Sequence, residues 1–268
     1  MIEAFSLEFM QNALFAGILA SIACGMIGSL VVVNRQVFLA GGIAHSAYGG
    51  IGLAFFLGLP VLPTTLGFTL VAAGIMAAIT LKKPQQSDTV IGVLWAAGMA
   101  TGIILLDITP GYNVDLMSYL FGSILTVPRH DLWIMLVLIA VIALIITLFY
   151  RQFLLLSFEP EFARTQGVPV PLLHFIQLAM VAVSVVMIIQ VVGLILVIAL
   201  LSIPPYLAGQ RARSLFSMML MASLWSMVFC TSGLILSYQF DLTTGATIIA
   251  VATVTFFIVL AGRALWSK

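Results

Sequence analysis

Long apolar stretches alternate with short polar segments along this chain. Nine mainly apolar runs follow one another, and short polar or Pro- and Gly-containing segments separate them. Because a helix that crosses a bilayer needs about 20 such residues, the pattern predicts an all-α polytopic membrane protein with about nine transmembrane helices. At Leu59-Pro60 and Val191–Gly193 almost no polar sequence separates the neighbouring runs, so eight to ten transmembrane helices are compatible with the pattern. The runs cover residues 9–33, 38–58, 60–82, 89–106, 131–150, 170–190, 191–209, 215–237 and 243–265.

Composition agrees with a lipid environment. Hydrophobic residues make up 63% of the 268 positions and charged residues 7%, whereas soluble domains have about 45–50% and about 25%. Such a chain cannot cover a core with polar side chains, so the bilayer is the expected surroundings of a single transmembrane domain, 1–268. The net charge of +1 provides no concentrated basic face and argues against nucleic acid as a partner.

The basic residues predict the orientation, because they accumulate on the cytoplasmic side. With nine crossings, an external N-terminus and a cytoplasmic C-terminus, only Arg129 of the ten basic residues lies outside. The others are Arg35, Lys82, Lys83, Arg151, Arg164, Arg211, Arg213, Arg263 and Lys268.

Two segments between runs are predicted to be structured. Residues 115–125 are too apolar for a free loop and too short to cross, which favours a re-entrant half helix. The long cytoplasmic loop, about Arg151 to Pro171, contains a second candidate: Pro160 suits a first helical turn, and Gly167 with Pro169 ends it. A short amphipathic helix on the cytoplasmic side suggests a docking point for another protein.

Energy capture and hydrolytic chemistry have little support. The chain contains no Gly-Lys pair, which excludes a Walker A phosphate loop, and no His-Glu-x-x-His motif. A stand-alone secondary transporter or channel would need ionisable residues within its spans, and no acidic residue lies well inside one. A membrane-embedded metal enzyme would need several ligands and a general base.

His45 is the candidate functional residue. It lies about ten residues into the second run, near the bilayer midplane, where an ionisable side chain usually faces an interior or a water-filled path. Imidazole is a common ligand of transition metals. The alternative is a hydrogen bond to a neighbouring helix. Gly41, Gly42, Ser46 and Gln190 are read as lining a path or packing helices, and Gly98-x-x-x-Gly102 permits a close helix contact.

Several blocks, in order, resemble the membrane permease subunit of bacterial ABC importers for zinc, manganese or iron. The resemblance extends from about Phe9 to Gly262. The blocks are the Gly-rich stretch ending at 44–47, the 115–125 segment, and residues 155–164, 190–204 and 237–248.

The resemblance implies a transport subunit rather than an enzyme, in the bacterial plasma (inner) membrane. It implies a homodimer of permeases, two cytoplasmic ATPase subunits that bind the ATP, and an extracytoplasmic metal-binding protein. The chain itself would hold no cofactor; a divalent zinc, manganese or iron ion is the cargo, imported by alternating access.

By resemblance, His45 contacts the metal transiently in the translocation path, and the loop helix is the coupling helix that docks on the ATPase. Members usually have an aspartate four residues before the histidine, and here that position is Gly41. The missing carboxylate leaves open which metal passes, and whether it is bare or chelated. The coupling residues are Phe158, Glu159, Pro160, Glu161, Phe162, Ala163 and Arg164.

Overall fold

A computed structural model describes residues 8–82, 87–110, 122 and 127–266 of the chain. The predicted re-entrant helix, 115–125, lies outside the described residues except for Gly122. Helices joined by short turns, without strands, make up the described residues, which confirms the all-α prediction.

The described residues form eleven helices. Eight of them are at least 20 residues long and apolar enough to cross a membrane, so the chain is a multi-pass membrane protein. Helix α9 has 16 residues, about 24 Å at 1.5 Å per residue, against a hydrocarbon core of about 30 Å. The helices are α1 (Glu8–Val33), α2 (Val37–Leu57), α3 (Val61–Lys82), α4 (Ser87–Asp107), α5 (Arg129–Leu148), α6 (Tyr150–Phe158), α7 (Pro160–Thr165), α8 (Val170–Val192), α9 (Leu194–Gly209), α10 (Leu215–Phe240) and α11 (Thr244–Trp266).

A glycine ends the first helix at each of the two boundaries, α2–α3 and α8–α9, that the sequence marked with almost no polar residues. Gly58 ends α2 in the left-handed conformation, with φ of 65°, and the next amide, that of Leu59, donates to the Ala54 carbonyl at 2.8 Å. Gly193 separates α8 from α9 with φ of 82°. A positive φ costs glycine nothing but strains other residues, so each boundary is specified locally.

The contacts divide the chain into two compact units, described here separately. The first comprises the described residues within Met1–Val32, Met117–Ile139 and Ile188–Lys268, and in it α9 packs on α10 and α11. The second comprises those within Val33–Leu116 and Ala140–Met187. Its centre is α2, which packs on α3 and α4.

Glycines bring α2 and α4 into backbone contact. A Cβ built on Gly98 would lie 2.5 Å from the Cα atom of Ser46, and one on Gly52 would lie 2.7 Å from the Cα atom of Gly102. Real Cβ atoms do not approach other atoms so closely. The spacing of Gly98 and Gly102 therefore serves a helix contact within the chain.

Gly52→Ala should lower the thermal stability of the protein, whereas Gly67→Ala should not. The added methyl at position 52 meets the backbone of α4, and overpacking of this kind costs about 1–3 kcal/mol. At Gly67, on α3, the methyl meets nothing within 4 Å, and alanine improves helix propensity by up to about 1 kcal/mol. Melting temperatures in one detergent compare the two variants, and equal stability would contradict the contact.

Candidate functional site

The imidazole of His45 lies on α2 in a fixed orientation. Its Nδ1 atom lies 2.8 Å from the backbone carbonyl oxygen of Gly41, one helical turn earlier. Because a carbonyl oxygen can only accept, Nδ1 carries the proton and donates it. The lone pair is then on Nε2, so the neutral ring presents a metal-binding nitrogen on its other side.

Trp95 of α4 holds the plane of this ring. The centroids of the His45 and Trp95 rings are 3.7 Å apart and the planes differ by 24°. Phe38 extends the aromatic group, with its centroid 6.0 Å from that of Trp95. An aromatic face also favours a cation beside it. The sequence analysis missed Trp95, since a tryptophan in an apolar run gives no signal about its partner.

The described residues do not surround His45 with a cluster of metal ligands. Among the described residues there is no group of three or more His, Cys, Asp or Glu side chains placed to hold a metal. Gly41, where the resemblance implies an aspartate, is buried and contributes its carbonyl oxygen. A cation at Nε2 would therefore find no ready-made cluster of three such ligands among these residues, which suits weak binding.

Other predicted path residues lie in helix packing where the structure describes them. A Cβ on Gly42 would lie 2.5 Å from Cγ2 of Ile91 on α4. Ser46 is 2% exposed, and its hydroxyl donates to the Ile43 carbonyl at 2.9 Å. The side chain of Gln190 is outside the described part of the chain, so its role stays a prediction.

The predicted cytoplasmic helix is present as α7, Pro160–Thr165, with Pro160 in its first turn. Gly167 follows with φ of 75°, which ends the helix as the sequence predicted. The loop prediction was wrong for the residues before it, because α6, Tyr150–Phe158, is helical. The apolar run continues through Leu154–Leu156, which supports a further helix instead of a loop.

Most side chains of α7 are exposed. Phe162 is 52% exposed and Phe158, just before the helix, 61%. Glu161 and Arg164 form an exposed ion pair at 3.3 Å. Ala163 is fully buried, which fixes the face that α7 turns inward. The remaining faces are available to another protein.

The turn that leads into α2 is tied by hydrogen bonds to α6 and α8. The side-chain amide of Asn34 donates to the hydroxyl of Ser157 at 2.9 Å, and Gln177 of α8 donates to Gln36 at 2.9 Å. Arg35, between Asn34 and Gln36, has a positive φ of 56°. A non-glycine residue adopts such a φ only when its surroundings hold it there. The helix that carries His45 thus begins at a turn fixed by α6 and α8.

The comparisons with known proteins identify the family. Residues 6–263 match the ABC 3 transport family. The chain belongs to this family. The resemblance to ABC importer permeases found in the sequence is thereby confirmed.

Relatives of the chain cover nearly its whole length. An uncharacterized membrane protein of Synechocystis sp. is 52% identical over 98% of this chain and 94% of its own length. The manganese transport system membrane protein MntC of Halalkalibacterium halodurans is 31% identical over 95% of this chain and 87% of its own length. The solved structure of PsaBC from Streptococcus pneumoniae in complex with Fab has a TM-score of 0.87 and 32% identity, over 96% of this chain and 93% of that chain.

Members of this family are the membrane subunits of ABC transporters. The chain is therefore a transport component and not a catalytic subunit, since a separate subunit hydrolyses the ATP. This agrees with the absence of a Walker A loop from the sequence.

Proposed function

We propose that the chain is the permease subunit of an importer that moves a divalent transition metal into the cytoplasm, with manganese the first candidate. The observation that carries the proposal is the 31% identity to the manganese transport system membrane protein MntC of Halalkalibacterium halodurans over 95% of the chain. The relative MntC is named as a manganese transport protein, and zinc and iron are the other metals to be tested.

The proposed assembly contains two copies of the chain, two cytoplasmic ATPases and an extracytoplasmic metal-binding protein in the plasma membrane. The N-terminus is outside and the C-terminus inside, which requires nine crossings with α9 as the shortest. The positive-inside distribution of nine of the ten basic residues supports this orientation.

The proposed mechanism is alternating access. Closure of the ATPases on ATP moves α7, and the tie between Ser157 and Asn34 passes the movement to the start of α2. His45 lies about 12 Å further along that helix. Its Nε2 lone pair binds the passing ion briefly, because an ion must leave a path as easily as it enters.

Because Gly41 stands where the family usually has an aspartate, the contact of His45 with the metal is weaker than that of the usual Asp–His pair. A carboxylate at position 41 would add a hard anionic ligand one helical turn from the imidazole. Glycine leaves a single nitrogen donor on this chain, so delivery by the binding protein, rather than affinity at α2, sets which metal is taken up. An imidazole suits iron and zinc, whereas oxygen ligands suit manganese, so the ring itself does not select manganese.

The test is ATP hydrolysis by the reconstituted complex. The chain is purified with its partner ATPase, placed in proteoliposomes, and supplied with the cognate binding protein loaded with Mn²⁺, Zn²⁺ or Fe²⁺. We expect Mn²⁺ to stimulate hydrolysis several-fold and to accumulate in the lumen that corresponds to the cytoplasm.

Two results would overturn the proposal. One is metal accumulation by the chain alone without ATP, which would indicate a secondary transporter or channel. The other is hydrolysis that no divalent transition metal stimulates, bare or chelated, which would indicate a different cargo.

A further inference from the structure

Three arginines lie at one end of the first unit. Arg211 and Arg213 are exposed in the turn between α9 and α10, and Arg263 is exposed in the last turn of α11. Nη1 of Arg263 donates to the side-chain oxygen of Gln210, the residue before Arg211, so the end of α11 lies against that turn. We call these three residues the arginine cluster. In the proposed orientation it is on the cytoplasmic side.

Within the first unit, the described residues provide the arginine cluster with no acidic partner. Asp241 follows the far end of α10, which has 26 residues and is therefore about 39 Å long. Glu8 begins α1 and pairs with Arg129 in the first turn of α5, at 3.0 Å. Gly28, near the other end of α1, is the residue that packs against Pro205 of α9. The cluster's end of the unit thus has an unbalanced positive charge.

A seam between α9 and α11 leads from the arginine cluster toward the apolar part of the unit. The ring centroids of Tyr206 on α9 and Phe256 on α11 are 5.2 Å apart. Tyr206 precedes Gln210 by four residues, about 6 Å, and Phe256 precedes Arg263 by seven residues, about 10 Å. The aromatic contact and the contact of Arg263 with Gln210 therefore follow one another along the same seam. Tyr206 is 42% exposed, so the seam is open at the protein surface.

Large apolar side chains remain exposed up to the arginine cluster. Leu260, one turn before Arg263, is 41% exposed, and Phe216, three residues after Arg213, is 60% exposed. On a membrane protein such side chains face lipid rather than water. An apolar surface that ends in arginines, with a tyrosine just before them, matches the boundary between acyl chains and headgroups. Lipid is therefore favoured over another protein as the occupant.

We propose that the seam between α9 and α11 binds an anionic phospholipid, with its phosphate on the arginine cluster and an acyl chain beside Tyr206 and Phe256. A guanidinium has five N–H donors. Arg263 uses one on Gln210, which leaves donors for the paired hydrogen bonds that arginine makes to phosphate. Basic groups between spanning helices on the cytoplasmic side bind anionic headgroups in this way. The inference depends on the chain being a membrane protein and not on the metal that it carries.

Phosphatidylglycerol binding to the purified full-length chain tests the site. Native mass spectrometry of the protein, released from detergent after titration with phosphatidylglycerol or phosphatidylcholine, counts the bound lipids. We expect one phosphatidylglycerol per chain to bind more tightly than phosphatidylcholine. Arg263→Gln and Arg211→Gln should each weaken phosphatidylglycerol binding about fivefold. The bound lipid should also raise the melting temperature, because it binds the folded chain.

Arg129→Gln is the matched control. It removes the same charge from the other end of the same unit, where Arg129 is exposed, and should leave phosphatidylglycerol binding unchanged. Tyr206→Ala should weaken binding of the lipid, and glycerol 3-phosphate, which has the phosphate but no acyl chain, should not raise the melting temperature.

Three results would overturn the proposal. The first is unaltered phosphatidylglycerol binding in both Arg263→Gln and Arg211→Gln. The second is a rise in melting temperature with glycerol 3-phosphate equal to that with the lipid, which would indicate a site for a soluble phosphate. The third is loss of ATPase co-purification in these variants with lipid binding retained, which would assign the arginine cluster to the ATPase.

Discussion

His45→Ala should lower Mn²⁺ uptake by the reconstituted complex at least about tenfold while the chain still assembles. Loss of an outer partner of a metal ligand typically costs 10–100-fold, and loss of the ligand itself should cost no less. The imidazole presents Nε2 because Nδ1–H donates a hydrogen bond to the Gly41 carbonyl, and the described residues form no cluster of three or more His, Cys, Asp or Glu side chains that could substitute. Uptake at limiting Mn²⁺ in proteoliposomes measures the effect.

The control for this variant is His130→Ala. His130 is exposed in the first turn of α5, so its loss should not change uptake. Removing the His45 ring also removes its stack on Trp95, which costs about 0.5–1.5 kcal/mol and should lower the melting temperature slightly. If uptake by His45→Ala equals that of the unaltered complex, the residue only packs helices and the cation passes elsewhere.

The helical spans could be predicted because lipid leaves few alternatives. The run 38–58 became α2, Val37–Leu57, and 215–237 became α10, Leu215–Phe240. Local signals also placed the ends: Gly58 and Gly167 both have positive φ. Apolar length and glycine position are properties of the sequence itself, so periodicity and composition suffice to find them.

Contacts between distant residues could not be predicted. Gln36 and Gln177 are 141 positions apart, and nothing in either segment indicates that their amides meet. The glycine spacing at Gly98 predicted a close approach but not that α2 is the partner. Trp95 is a member of the candidate site only because α4 packs on α2, which composition does not indicate.

The short helix α6 shows where apolar pattern alone misleads. The fifth run was expected to end near residue 150, and Arg151 was assigned to a loop. The helix is instead interrupted at Phe149 and resumes over Tyr150–Phe158. This places Ser157 within reach of Asn34. The connection from α7 to α2 therefore depends on an element that the sequence analysis did not find.

Phe162→Asp should abolish coupling between the chain and its ATPase. Phe162 is 52% exposed on α7, at the end of the second unit where the proposed orientation puts water rather than lipid. Aromatic side chains dominate binding at protein interfaces, where truncation of one costs about 2 kcal/mol or more, roughly 30-fold in affinity. A carboxylate adds the cost of a buried, unpaired charge.

Co-purification of the ATPase and ATP-driven Mn²⁺ uptake measure this effect, and both should be lost in Phe162→Asp. Gln166→Asp introduces the same charge at the exposed residue that follows α7 and should retain the ATPase. The fold should persist in both variants, because Ala163 rather than Phe162 fills the buried face of α7. If Phe162→Asp retains the ATPase as fully as Gln166→Asp does, the motor docks on another cytoplasmic segment, and the tie from Ser157 to Asn34 no longer lies on its path to His45.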